Sequence, residues 1–182
     1  PAAAGRRRLV RPPPRRAVAG LCFALLLLPA SIAVAHGRST STSSVDVEAG
    51  AQPIARLTVR APWADLQRAI PELSAAEATL DGVSLALVDR YLQERFMLRA
   101  AGQPCAPVGP VASAPTTDAT HIGRSWRVLC AAADPLALES RAFFDVQPAH
   151  LHLARLRRAG APTVEAGLVQ GAAGTSIPPP GE

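Results

Sequence analysis

The stretch that decides the fold, residues 54–61, reads IARLTVRA. Its apolar residues Leu57 and Val59 alternate with polar ones, and this period of two is typical of a β-strand with one buried face. The preceding stretch, residues 39–48, alternates small polar and weakly apolar residues in the same way, and residues 49–51 (Ala-Gly-Ala) read as a turn. The sequence therefore predicts an N-terminal β-hairpin.

The rest of the chain continues this pattern of short strands. Alternation predicts strands over 96–101, 121–132, 136–146, 151–157 and 163–170. Apolar residues recur at helical spacing over residues 82–95, which predicts a helix. Residues 63–73 read as a short helical or loop segment, and the prolines of residues 106–120 favour a long loop. Six to seven strands with one inserted helix at about 82–95 predict a mainly β, β-sandwich-like domain.

The chain opens with a segment that is typical of an export signal. Six arginines and no acidic residue precede an apolar run at residues 17–29, and Ala33-Val34-Ala35 fits a small-residue cleavage site. The alternative is an uncleaved N-terminal anchor. We predict three parts: a signal peptide at 1–35, an exported β-rich domain at 36–170 and a Gly/Pro-rich tail or linker at 171–182.

The charge of the chain is concentrated in this leader. The formal net charge is +5, but removal of residues 1–35 leaves 13 arginines against 14 acidic residues. Nucleic-acid binding needs a clustered basic face on the folded part, and the nearly neutral remainder does not indicate one. We therefore expect no nucleic-acid partner.

Two cysteines remain once Cys22 leaves with the signal. Cys105 and Cys130 form an even count in an exported chain, which predicts one disulfide and a periplasmic or otherwise extracytoplasmic location. Closing a loop of about 25 residues stabilises a fold by roughly 3 kcal/mol. The alternative is two free thiols. No C-x-x-C motif and no histidine within four residues points to a catalytic or metal-binding cysteine.

Three of the four histidines form a candidate metal set. Cleavage after Ala35 makes His36 the first residue, and its α-amine and imidazole can together chelate copper or nickel. His150 and His152 are two residues apart, so a strand places them on one face, where they can complete the site. The alternative is that His36 is simply polar and that His150 and His152 form an exposed face opposite buried leucines.

The sequence contains no recognisable catalytic motif. A Gly-x-Ser-x-Gly elbow, a Gly-x-Gly-x-x-Gly fingerprint and a P-loop are all missing from the 182 residues. We therefore expect a protein that is not an enzyme, and we identify no small-molecule substrate from the sequence.

Two motifs carry a family resemblance. Residues 102–105 read GQPC, and residues 143–152 read FFDVQPAHLH, of which Phe-Phe-Asp-x-x-Pro-x-His is the sharpest part. Over roughly residues 33–170 the chain resembles the extracytoplasmic N-terminal region of HupE/UreJ-like membrane proteins, the hydrogenase and urease accessory permease group.

The resemblance implies a partner and a role. In that family a bundle of transmembrane helices, associated with nickel or cobalt uptake, follows the exported domain. No long apolar run follows Gln170 here, so the chain is either the front piece of a longer membrane protein or a free-standing exported relative. We expect an accessory or binding domain; the alternative is a periplasmic copper or nickel carrier that uses His36.

Overall fold

Two β-sheets and three helices make up the part of the chain that the structure describes. The computed structural model describes residues 39–50, 53–74, 82–116, 118–177 and 179. All of them lie in the second of two units, which begins at Gly37. The predicted signal peptide at 1–35 and the candidate ligand His36 lie outside the described residues.

The elements follow one another with short connections. In chain order they are β1 (Thr40–Val47), β2 (Ile54–Pro62), α1 (Trp63–Ala69), α2 (Pro71–Ser74), α3 (Gly82–Arg95), β3 (Phe96–Ala100), β4 (Gln103–Pro104), β5 (Ala106–Ser113), β6 (His121–Leu129), β7 (Leu136–Ser140), β8 (Leu151–Arg158), β9 (Val164–Leu168) and β10 (Gly174–Ile177).

One sheet has six strands and the other has four. The larger sheet has the order β5-β6-β2-β1-β8-β9, and the smaller has the order β10-β7-β3-β4. The predicted N-terminal hairpin is confirmed, because β1 and β2 pair antiparallel from Thr42 with Arg60 to Val47 with Ala55. The next neighbour of β1 is the distant strand β8, and these two run parallel. The mainly β class is therefore confirmed.

Alternation along β2 explains how the larger sheet gains a buried face. Leu57 and Val59 are almost fully buried, whereas Arg56, which points to the opposite face of the strand, is exposed. Both sheets contribute to a single hydrophobic cluster, in which Leu57 comes from the larger sheet and Leu98 and Leu138 from the smaller. Burial of such side chains contributes roughly 1.5–3 kcal/mol each, which makes this cluster the main stabilising feature.

The described residues contain three helices rather than the one predicted, because residues 63–73, predicted as a helical or loop segment, contain α1 and most of α2. The predicted helix at 82–95 is confirmed as α3, and its buried residues Val88, Tyr91 and Leu92 recur at helical spacing. Its polar side carries Asp89, which holds Arg124 of β6 through two hydrogen bonds of 2.5 and 2.6 Å. This pair joins α3 to the larger sheet.

Four predictions about the strands were wrong. The described residues contain ten strands rather than six to seven. Residues 106–113, predicted as part of a loop, form the edge strand β5, and Gly109 with φ 74° lies where its register against β6 shifts. Prolines are tolerated on edge strands because one side of the backbone needs no partner.

The other two differences concern the ends of strands. β7 stops at Ser140 instead of Val146, and Phe143 then takes a positive φ of 68°, which is incompatible with a continuing strand. Four of the residues predicted as a tail or linker, Gly174–Ile177, instead pair with β7 as β10. Backbone hydrogen bonds create this strand, and its small side chains give little alternation for a sequence pattern to detect.

Candidate functional site

A buried polar cluster lies on the inner face of the parallel pair β1 and β8. Ser41 of β1 is in register with His152 of β8, and Ser43 lies two residues further along the same face. His150 immediately precedes β8 and points into the same space. All four side chains are at most 4% exposed. Alternation in two neighbouring strands therefore brings two serines and two histidines together inside the molecule.

The four side chains form one continuous hydrogen-bonded row. The hydroxyl of Ser41 lies between the two rings, 2.8 Å from His150 Nε2 and 2.7 Å from His152 Nδ1. At the far end, His152 Nε2 lies 2.8 Å from the Ser43 hydroxyl. Both ring nitrogens of His152 are thus hydrogen-bonded, as burial of a polar ring requires.

Helix α1 adds a carboxylate to the other end of the row. Asp65 in its first turn is 1% exposed, and its Oδ2 lies 3.6 Å from His150 Nδ1. The Ser39 hydroxyl donates to the same oxygen, and Arg68 donates to Oδ1 at 2.8 Å. The Asp65 charge is therefore compensated from the surface by a half-exposed guanidinium.

The Asp65 charge determines which group donates and which accepts in each hydrogen bond of the row. A negative charge beside His150 Nδ1 favours the tautomer that carries its proton on that nitrogen. His150 Nε2 must then accept from the Ser41 hydroxyl, whose oxygen in turn accepts from His152 Nδ1. His152 Nε2 is left to accept from Ser43. One carboxylate consequently fixes the proton positions of both neutral rings.

Aromatic rings pack over the two histidines. The ring of Phe96, on the smaller sheet, lies 4.7 Å from that of His152, and the ring of Phe143 lies 4.8 Å from that of His150. Phe143 is itself held by Tyr91, whose hydroxyl accepts from the Phe143 N–H at 2.9 Å. These contacts cover the row on the side away from β1.

Burial keeps both rings uncharged. Desolvation lowers the pKa of His152 to about 3, and the neighbouring His150 adds to this effect. Desolvation also lowers the pKa of His150, while Asp65 acts in the opposite direction and Arg68 in the same one. Burial raises the pKa of Tyr91 to about 12. At neutral pH the cluster is thus a row of uncharged rings and hydroxyls that ends beside the Asp65 carboxyl group.

Asp65, His150 and Ser41 follow one another in the order of an acyl-transfer triad, but the serine is not accessible to a substrate as it is in such a triad. A nucleophilic serine must reach the substrate, and Ser41 is fully buried between two rings. Its hydroxyl proton is committed to His150, and its oxygen is committed to His152. The arrangement can hold β1, β8 and α1 in fixed register, which is a structural role.

The predicted metal set is only partly brought together. His150 and His152 lie on either side of the Ser41 hydroxyl, and three of their four ring nitrogens are hydrogen-bonded to serines. Within the described ranges there is no group of three or more His, Cys, Asp or Glu side chains that could hold a metal ion. Whether His36 completes such a site stays a prediction.

The alternative prediction for the two histidines, an exposed face opposite buried leucines, was wrong. His150 and His152 are buried, and it is Leu153 that is 44% exposed. The sequence analysis also missed Ser41, Ser43 and Asp65. A signal for the two serines was present, because a strand whose small polar residues alternate has one face that can receive two histidines spaced by two.

The predicted cysteine pair lies at the edge of the larger sheet. The sulfur atoms of Cys105 and Cys130 are 2.02 Å apart, at disulfide-bonding distance. Cys105 directly precedes β5 and Cys130 directly follows β6, so the bond joins two paired strands at one end. The predicted pairing is confirmed.

No protein-family model matches the chain, and no curated protein matches it. Among the residues described, no helix is both long and apolar enough to cross a membrane.

Proposed function

We propose that residues 36–170 form a non-catalytic accessory or binding domain on the extracytoplasmic side of a membrane. The observation that carries the proposal is the Cys105–Cys130 pair at bonding distance. Disulfides persist in oxidising compartments, and an arginine-rich apolar leader is the means of reaching one. The domain resembles the exported region of HupE/UreJ-like proteins, whose permease part is the proposed partner.

The buried cluster supports a non-catalytic role. His150 and Phe143 belong to the motif on which the resemblance rests, and their rings pack against each other at 4.8 Å. Motif residues in such a place contribute to packing and to hydrogen bonding inside the fold. The triad-like set that contains Ser41 is buried, so substrate cannot reach its hydroxyl in this conformation.

We also infer that the two sheets pack face to face as a β-sandwich. Phe96 of β3 and His152 of β8 are in contact across the two sheets. Leu98 of the smaller sheet and Leu57 of the larger sheet belong to the same hydrophobic cluster. Face-to-face packing is the usual way in which two sheets bury their apolar faces.

Mass spectrometry of the protein recovered from cells tests the proposal. We expect a chain that begins at His36 and that is lighter by two hydrogens than its reduced form, found outside the cytoplasm. A Cys105→Ser, Cys130→Ser double variant is the control, since reduction should leave its mass unchanged. An intact leader together with two reactive thiols would overturn the proposal.

The partner is tested separately. If the gene continues beyond Glu182, the proposal expects apolar segments of about 20 residues there. Where the gene ends at Glu182, co-purification of the exported domain with a separately encoded permease from solubilised membranes is expected. An exported domain that recovers no membrane protein would contradict the accessory role.

The metal-carrier alternative remains a prediction with its own test. Calorimetric titration with Cu(II) or Ni(II) should show tight binding that is lost in a His36→Ala variant and kept in a His121→Ala variant. Affinity that is the same in all three proteins would exclude a carrier based on His36.

A further inference from the structure

The outer face of the larger sheet carries a cleft of about 460 Å³ above β1, β2, β8 and β9. This volume lies within the range of small-molecule sites in proteins, which also combine an apolar wall with a few convergent polar groups. The cleft lies on the face of the sheet opposite the buried histidine rings, because Thr42 and Leu153, which line it, alternate with Ser41 and His152 along the same strands; Ser43, at the end of the buried row, also borders the cleft.

The polar groups of the cleft converge from two strands. Thr42 is directly opposite Arg60 in the β1–β2 pair, and Ser44 lies two residues from Thr42 on the same face. Arg60 donates from Nε to the Pro115 carbonyl at 2.7 Å, and neither of its Nη atoms has a hydrogen-bond partner among the described residues. The Thr42 and Ser44 hydroxyls have no hydrogen-bond partner within the part of the chain that is described.

An apolar depression forms the opposite end. Leu153 of β8 is 44% exposed and is in register with both Thr42 and Gly167 of β9. Because Gly167 has no side chain, open space lies beside Leu153 at the edge of the sheet. A Cβ built at Gly167 would lie 3.4 Å from Leu151 Cδ1, which is an ordinary contact, so a larger residue can occupy this space.

One carboxylate borders the cleft, but it is already paired. Glu165 Oε1 accepts from Arg155 Nε at 2.8 Å and lies 2.6 Å from Arg155 Nη2. The charge that remains for a ligand is therefore that of Arg60. The two Nη atoms of a guanidinium match the two oxygens of a carboxylate.

We propose that this cleft binds an aliphatic carboxylate, with its charged group between Arg60 and the Thr42 and Ser44 hydroxyls and its chain over Leu153 toward Gly167. The inference rests on the proposed function in that it names a ligand class for a binding domain. Arg60 and Gly167 lie on strands three apart, about 14 Å at the usual spacing, which suits a chain of several carbons.

Titration of the purified protein with octanoate, followed by NMR of the backbone amides of β1, β2 and β8, tests the proposal. We expect saturable shifts that cluster at Thr42, Arg60 and Leu153, and none with octanol, which lacks the charge. An Arg60→Gln variant should weaken octanoate binding by about tenfold or more, since charge-assisted hydrogen bonds are lost.

Gly167→Val supplies a second test, because it fills the depression without touching the charged end. We expect about a tenfold loss or more with this variant and less than about a twofold change with Arg157→Gln, whose arginine lies on the same face but pairs with Asp46 outside the cleft. Unfolding curves of all variants confirm that they fold.

Two results would overturn the proposal: no saturable shift with octanoate up to millimolar concentration, or octanoate binding that both Arg60→Gln and Gly167→Val leave intact. Neither result touches the mass-spectrometric test of export, so failure of the ligand is distinguishable from failure of the proposed function.

Discussion

The two faces of the β1–β8 pair are built from neighbouring residues and have opposite characters. The inner face carries Ser41 and His152, both fully buried and joined by a hydrogen bond of 2.7 Å. The outer face carries Ser44 and the exposed Leu153. At this end of the pair, polar side chains are therefore inside and a leucine is outside, which reverses the usual distribution, whereas further along Val45 and Leu156 are buried on the inner face as expected.

The comparison shows that polar side chains can be buried at little cost in stability when each of their polar groups has a hydrogen-bond partner. A buried hydroxyl or imidazole without a hydrogen bond costs about 1–3 kcal/mol, whereas a paired one is close to neutral or favourable. The serine–histidine row meets this condition at all but one of its ring nitrogens, and Asp65 lies 3.6 Å from that one. Four predictions test the comparison between the faces.

The largest effect is expected from removing a ring on the inner face. His152→Ala leaves a cavity beside Phe96 and removes the hydrogen bonds that the ring makes with the hydroxyls of Ser41 and Ser43. The free energy of unfolding should therefore fall by about 3–5 kcal/mol. The matched outer substitution, Leu153→Ala, should cost less than about 1 kcal/mol. Urea unfolding measures both, and equal losses would contradict the assignment of the faces.

Replacing one serine on each face with alanine removes the same hydroxyl group from both faces, and its effect on stability should be smaller than that of removing a ring. Ser41→Ala leaves His150 Nε2 and His152 Nδ1 without a partner in the core and should cost about 1–3 kcal/mol. Ser44→Ala, on the outer face, should change stability by less than about 0.5 kcal/mol. Thermal unfolding of the two variants under the same conditions measures both losses of stability. A larger loss in Ser44→Ala than in Ser41→Ala would contradict the prediction.

Acid should weaken the inner face alone. Burial lowers the pKa of both histidines in the folded state, to about 3 for His152, while histidines in the unfolded chain gain protons below about pH 6.5. Stability is therefore complete above that pH and should fall below it, by about 1.4 kcal/mol per pH unit for His152 and with a further contribution from His150. Unfolding between about pH 7 and about pH 5 measures the slope.

A His152→Gln variant is the control for this pH dependence. It removes one ionisable ring but keeps a polar side chain near Ser41. The loss of stability per pH unit should therefore decrease by the contribution of one histidine. An unchanged slope would show that the buried rings are not its source.

The smallest effect concerns the charge at the end of the row. Asp65 is the group that raises the pKa of His150 against desolvation, so Asp65→Asn should lower that pKa further. The variant should also release the tautomer preference of both rings. Ring nitrogen chemical shifts by NMR report both changes, with Asp145→Asn as an exposed control. Shifts that stay as in the parent protein would refute the role of Asp65.

Much of the fold was predictable because local patterns carry it. The β1–β2 hairpin and helix α3 follow from their periodicities, and the helix has the predicted bounds. The Cys105–Cys130 pair follows from counting. Strands β5 and β10 were not predictable in this way, because backbone pairing with β6 and β7 creates them while their prolines and small residues leave no periodic signal.

The candidate site was predictable only in part. The spacing of His150 and His152 indicated a shared face, and that is what the fold gives them, although three of their four ring nitrogens are hydrogen-bonded to serines and could bind copper or nickel only if those bonds broke. Asp65 reaches them from a helix about 85 residues earlier in the chain, and no local pattern links residues so far apart.

By itself the sequence predicted strands at residues 39–48 and 151–157, because alternation with a period of two is a local pattern that does not depend on the rest of the fold. It did not determine which face of each strand is buried, since period two defines two faces of equal standing. Only the tertiary structure decided that question. Packing of Phe96, Phe143 and α1 against one side supplied partners for the polar rings and left Leu153 outside, because the side that is buried also carries Val45 and Leu156, whose burial is favourable.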